Sequence, residues 1–187
     1  MPENKVQFNL KNVHYALLDT STGEPVFETP VAVPGAVSIS LSAQGEVTPF
    51  YADGIVYYQA IANNGYSGDL VIALIPPQML KDVWGFVETE TEKVLVESAF
   101  VEAKPFALLF QIDGDATQSH YVMYNCSATR PTIASATTTA SKEPQTQTVS
   151  VSATPLENGN IYARTTAQTN EQTVTGWYTK VFEPAAA

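Results

Sequence analysis

The stretch Ala36 to Ile75, AVSISLSAQGEVTPFYADGIVYYQAIANNGYSGDLVIALI, constrains the fold most strongly, because it reads as four consecutive strands. Val37, Ile39 and Leu41 alternate with Ser38, Ser40 and Ser42, the period of two expected of a strand buried on one face. Gln44-Gly45 reads as a turn. Val47 to Tyr51 follows, and Pro49 marks it as an edge or bulged strand, since proline has no N–H to give to a ladder. Asp53-Gly54 turns the chain again, Ile55 to Ile61 is the third strand, and Asn63-Asn64-Gly65 reads as a hairpin turn into a return strand, Tyr66 to Ile75.

Strand patterns dominate the rest of the chain. Val13 to Leu18 is a first strand, and Pro25 to Val33 is a looser extended piece between Thr22-Gly23 and Pro34-Gly35. Glu88 to Glu92 is an acidic loop, with a short strand at Lys93 to Val96. Lys104 to Ile112 and Ser119 to Ala128 form a hairpin around Asp113-Gly114-Asp115. Thr148 to Ala153 alternates with Val149, Val151 and Ala153 inward, and Asn158-Gly159-Asn160 reads as a hairpin turn into Ile161 to Arg164. Pro131 to Thr146, rich in Thr, Ser and Ala, is expected to be a mobile loop or a long hairpin tip. Trp177, Tyr178, Val181 and Phe182 are expected to dock an otherwise polar C-terminus, with Glu183 to Ala187 frayed.

One helix stands out, Pro77 to Trp84. Pro77 suits the first helical position, where a missing N–H costs nothing. Met79, Leu80, Val83 and Trp84 share one face, Lys81 and Asp82 lie outside it, and Gly85 stands where a left-handed cap is expected, with Phe86 packing back. The class is mainly β, with this helix covering one face of a sheet. A length of 187 residues, with neither repeat nor composition break, suggests a single domain, 1–187.

Charge and cysteine usage exclude several functions. The formal charge is −10, from 19 acidic and 9 basic residues. That argues against sequence-reading nucleic-acid binding, which needs phosphate neutralisation. It suits either plain solubility or a surface that meets DNA without holding it. Cys126 is the sole cysteine, so no intramolecular disulfide forms, as suits a reducing cytoplasm. MPENKVQFNLKNV has no apolar core of signal-peptide type, and the apolar run Leu70 to Pro77 is too short to span a bilayer. The expectation is a chain neither secreted by a classical signal nor embedded in a membrane.

Residues that carry chemistry elsewhere read as structural here. Gly65-Tyr66-Ser67-Gly68-Asp69 superficially matches a nucleophile elbow, but its fifth residue is Asp69 and it lies between strands. Asp113-Gly114-Asp115 lacks the spread ligands and flanking helices of an EF-hand loop. His14 and His120 lie in strand patterns with no ligand at metal spacing, and Cys126 reads as a small core residue on the face of Val122 and Tyr124, opposite Tyr121, Met123 and Asn125. Tyr51, Tyr57, Tyr58 and Tyr66 cluster around one hairpin, either as core filling or as interface packing. No catalytic, cofactor-binding or metal residue is assigned, and no enzymatic activity is expected.

Several collinear segments together resemble the major tail proteins of siphoviruses, the tube proteins of long non-contractile phage tails. They are FYADGIVYYQAIANNGYSGDLVIALIP, LKNVHYALLD, KPFALLFQIDGD with HYVMYNCSATRP, and EPQTQTVSVSATP, spanning about Val6 to Phe182. The resemblance implies a β-sandwich or barrel-like tail-tube fold with one flanking helix and flexible terminal arms. It implies a structural virion protein, assembled in the host bacterial cytoplasm, whose homohexameric rings stack into a hollow tube. Neighbouring sheets would line the lumen, and long loops or an arm would bridge successive rings. Tape-measure, tail-tip and tail-terminator proteins would be partners, and genomic DNA would pass without specific binding. The alternative reading is a β-sandwich binding or decoration module, such as an immunoglobulin-like adhesin.

Overall fold

A computed structural model describes residues 3–21, 23–137 and 144–184. In chain order the strands are β1 (Gln7–Asp19), β2 (Val26–Phe27), β3 (Val31–Ala32), β4 (Ala36–Gln44), β5 (Val47–Ala52), β6 (Ile55–Ile61) and β7 (Gly65–Ile72). Helix α1 (Pro77–Trp84) comes next, then β8 (Val87–Glu88), β9 (Leu95–Val96), β10 (Phe106–Gly114), β11 (Gln118–Ala128), β12 (Gln147–Thr154), β13 (Tyr162–Arg164) and α2 (Glu171–Gly176). The protein is mainly β. Its large sheet runs β2-β1-β10-β11-β12-β7-β4, with β3 added to β1 and β13 to β11, and its pairings are antiparallel. The sheet curls so that β4, at the far end of the order, returns alongside β1, giving a sandwich-like body of the kind the resemblance implies.

The curl creates an inside and an outside, and β10 is buried on both. Phe106, Leu108 and Phe110 point inward with Val13 and Tyr15 of β1, Leu70 and Ile72 of β7, and Val149, Val151 and Ala153 of β12. Ala107 and Leu109 point outward with Ala16, Leu18, Val122 and Tyr124, and there the C-terminal Trp177 and Val181 cover them. FALLF at the start of β10 has no polar member for this reason: a strand with two buried faces reads as a continuous apolar run.

Helix α1 closes one end of the interior. Met79, Val83 and Trp84 are buried against the inner core, contributing about 1.5–3 kcal/mol each. Gly85 takes the left-handed conformation (φ 67°) that ends the helix, and Phe86 N–H returns to the Leu80 carbonyl at 3.2 Å. Tyr15 donates from its hydroxyl to Asp82 at 2.6 Å, and Trp84 Nε1 donates to the Ala128 and Thr129 carbonyls, tying the helix to the sheet.

The structure corrects four local readings. Asn63-Asn64-Gly65 is not a hairpin turn: β6 pairs with β5, and β7 pairs with β4. Gln44-Gly45 is not a reversal either, because Ala62 N–H bonds the Glu46 carbonyl (3.0 Å) and Asn64 N–H bonds the Gln44 carbonyl (2.8 Å) straight across it. The Asn158-Gly159-Asn160 turn exists, but β13 pairs with β11 rather than β12. Cys126 lies on the inner face with Met123, because a bulge between the Phe106–Cys126 and Leu108–Met123 pairs inserts one residue into β11 and flips the residues beyond it to the opposite face. Beyond these, a second helix forms at α2, where the Asn170 side chain accepts from Thr173 N–H at 2.8 Å. Of the loop Pro131 to Thr146, residues 138–143 lie outside the described residues. At its base Thr129 and Thr132 bond back to β12, as a hairpin does. The final alanines, 185–187, are likewise outside.

Gly68 lies in β7 with β4 and β12 on either side, and a Cβ there would collide with the Ser40 carbonyl. Backbone on the β4 side leaves no flexible atom to yield. Gly68→Ala is expected to destabilise the fold by about 1–3 kcal/mol, read as a lower denaturant midpoint at unchanged slope.

Candidate assembly surface

Strands β4 and β7 do not stop where the body ends. Their ladder passes through the Gly45 kink into β5 and β6, so the four segments form one long two-stranded ribbon. Asp53 (φ 52°) and Gly54 (φ 77°) make its tip, with positive φ at both central residues as a tight hairpin turn requires. β5 and β6 form their own two-stranded sheet, with no third strand against them among the described residues.

Among the described residues, nothing in the same copy covers this ribbon. Phe50, Tyr51, Tyr57, Tyr58 and Ile61 are 61, 63, 72, 64 and 78% exposed, and Val47, Ile55 and Val56 are exposed too. The register sorts them onto two faces. Phe50 opposes Tyr58 with Thr48–Ala60 next to it, whereas Val47 opposes Ile61 and Tyr51 opposes Val56 on the other face. Both faces are apolar. Between Val47 and Ile61 the single charge is Asp53. Core filling is therefore excluded for Tyr51, Tyr57 and Tyr58, whereas Tyr66 is half-buried at the ribbon's root. Large apolar patches of this kind mark contact sites on soluble proteins.

An open apolar cleft of about 220 Å³ lies at the same end, opposite α1. Its walls include Ile39 and Leu41 of β4, Tyr66, Phe110, Tyr121 and Tyr162. Tyr66 and Tyr162 meet edge to face at 5.5 Å, and Phe110 stacks on Tyr121 at 5.1 Å. Burial, with the neighbouring Tyr162 hydroxyl, raises the Tyr66 pKa.

The residues weighed for chemistry are engaged structurally. Gly65–Asp69 is strand, and Asp69 accepts from the Ser150 hydroxyl at 2.7 Å. Asp113 accepts from Lys11 (2.7 Å), Gln111 (2.8 Å) and Asn9 (2.9 Å), and these bonds, with Lys11 the largest influence, lower its pKa. Asn9 and Asn12 adopt positive φ at two bulges of β1, which aims their amides at β10. Asp115 accepts from Lys5 N–H at 2.8 Å. No group of three potential metal ligands occurs among the described residues. Burial pushes the Cys126 thiol up to about 12, and His14 stacks on Tyr178 at 4.5 Å. The ribbon's projection was not evident from sequence. Part of its signal was present: IVYYQAI does not alternate, so the strand carries apolar residues on both faces.

No protein-family model matches the chain, and no curated protein matches it. Among solved structures it is similar to the anti-feeding prophage cap, the AFP tube-terminating cap, determined by cryo-EM. That match has 14% identity, covers 89% of this chain and 97% of that chain, and has a TM-score of 0.41. A likeness of this size carries no argument about activity. No helix among the described residues is long and apolar enough to cross a membrane.

His120 is buried beside Trp177 and Tyr178, its Nδ1 without a hydrogen-bond partner among the described residues. Desolvation lowers its pKa below the ordinary 6.5, with Asp113 opposing. The fold therefore favours the neutral ring. Its stabilisation is complete above pH 6.5 and is lost as pH falls through the lowered value. Unfolding free energy is expected to drop as the pH falls below the ordinary histidine value of 6.5, and His120→Gln to flatten that slope.

Proposed function

We propose that the protein is a structural virion component, the major tail tube subunit of a long non-contractile tail, with no catalytic role and no cofactor. One observation carries the reading: a ribbon apolar on both faces projects from the β body and is covered by nothing among the described residues of its own copy. A side chain of Tyr57's size, left 72% exposed, is tolerated in a monomer singly but not in a contiguous row on both faces. The segments that resemble siphovirus tail tube proteins include this ribbon. The same reading puts homohexameric rings in a stack, with DNA passing through the lumen and with tape-measure, tail-tip and tail-terminator proteins as partners. An acidic chain suits such a wall. Duplex DNA carries about one charge per 1.7 Å, so repeated lysines along a tube would form a sticky track.

The test is negative-stain imaging and sedimentation of the purified chain over a concentration series. Rings or tubes are expected. Tyr57→Lys with Ile61→Lys is expected to abolish them while leaving the unfolding free energy within about 0.5 kcal/mol per site, because both side chains are exposed. A chain that stays monomeric at all concentrations, as a decoration module does, would overturn the reading. Copies of charge −10 repel one another, and the Debye length is about 8 Å at physiological salt. Assembly is therefore expected to speed up as salt is raised from about 10 to 150 mM, followed by light scattering.

A further inference from the structure

We infer that the Phe50–Tyr58 pair on the ribbon of one copy seats in the open cleft at Tyr66, Phe110 and Tyr121 of a second copy. This rests on the tube-subunit reading and names the receiving surface for the ribbon. The two halves are complementary in shape. Phe50 and Tyr58 stand directly opposite each other across the ribbon, with the small Thr48–Ala60 pair on the body side and Ala52 opposite the exposed Ile55 on the tip side. The pair is thus an aromatic knob that rises above its body-side neighbours, with Ile55 extending the apolar surface toward the tip. The cleft is concave, apolar and about 220 Å³. An apolar cavity of about 150 Å³ already admits a benzene ring, so one ring of the pair enters the cleft while the other packs across its open mouth.

Area and charge point to a second copy as the occupant. The accessible surface is 12130 Å² for a 20.2 kDa chain. A compact monomer of that mass exposes about 8,800 Å², so the excess is roughly 3,300 Å². Obligate interfaces bury about 2,000–5,000 Å² in total. Two copies of charge −10 approach most easily where neither is charged, and the knob and the cleft walls carry no ionisable group other than tyrosine. The ribbon does not reach the cleft of its own copy, since Phe50 and Tyr58 remain 61% and 64% exposed. Each copy offers one knob and one cleft, and in the head-to-tail arrangement that the tube reading requires, each knob enters the next copy's cleft, so that rings or filaments result; reciprocal docking would instead stop at a closed dimer.

Complementation tests this directly. Leu41→Trp fills the cleft and keeps the knob; Phe50→Ser with Tyr58→Ser removes the knob and keeps the cleft. Leu41→Phe replaces Leu41→Trp if the larger side chain prevents folding, as judged by the denaturation midpoint. Each variant alone is expected to need at least ten times the wild-type concentration to assemble. Mixed, they are expected to form a 1:1 complex by sedimentation velocity that does not elongate, because one knob–cleft pair is intact and the other is lost. A cleft-filled variant that assembles at the wild-type concentration would overturn the inference while leaving the tube reading in place. So would a mixture that stays monomeric, or a cleft that takes up a small apolar dye without any effect on assembly. Wild-type protein that never assembles would overturn both.

Discussion

The two-sided burial of β10 is the constraint on which the rest of the structure depends. Phe106, Leu108 and Phe110 organise the interior, while Ala107 and Leu109 demand a cover on the outside. The chain meets the second demand with its own C-terminal segment, where Trp177 donates to the Tyr121 carbonyl at 3.3 Å and stacks on Phe182 at 5.6 Å. Helix α1 meets the first by capping the interior at the Phe106 end. Neither cover extends to the Ile112 end, and that is where the cleft opens and the ribbon departs. The free end of the molecule thus reflects how the core is closed at the other.

Elements specified by neighbours in sequence were legible in the residues. Helix α1 runs from Pro77 to Trp84 as its apolar spacing predicts, and Gly85 caps it. The β10–β11 hairpin and the inward Val149, Val151 and Ala153 follow from alternation and from one turn. Pairing partners were not legible, because a turn signal says where the chain can bend and not which strand receives it. Asn63-Asn64-Gly65 has the residues of a reversal, yet the Asn63 side chain accepts from Gly65 N–H at 3.3 Å within a kink that the ladder simply crosses. The bulge that moves Cys126 to the inner face depends on packing against Phe106, far off in sequence. The apolar character of the ribbon was plain, but its exposure depended on the sheet ending at β4.

Charge and apolar surface are segregated. Lys11, Asn9, Gln111 and Asp113 form a compact polar cluster at the turn end of β10, and Glu97 pairs with Arg130 across loops on the other side of the body. The ribbon holds little charge between Val47 and Ile61. Long-range repulsion and short-range apolar attraction therefore act at different distances: the first is screened by salt, the second is not.

The bulge in β11 has a practical corollary. By turning Cys126 into the interior, it removes the chain's one thiol from the reach of maleimides, oxidants and mercurials in the folded state. The native protein is thus a blank background for sulfhydryl chemistry. A cysteine placed anywhere on the surface becomes a unique handle for a fluorophore, a spin label or a cross-linker, with no prior substitution to silence a competitor.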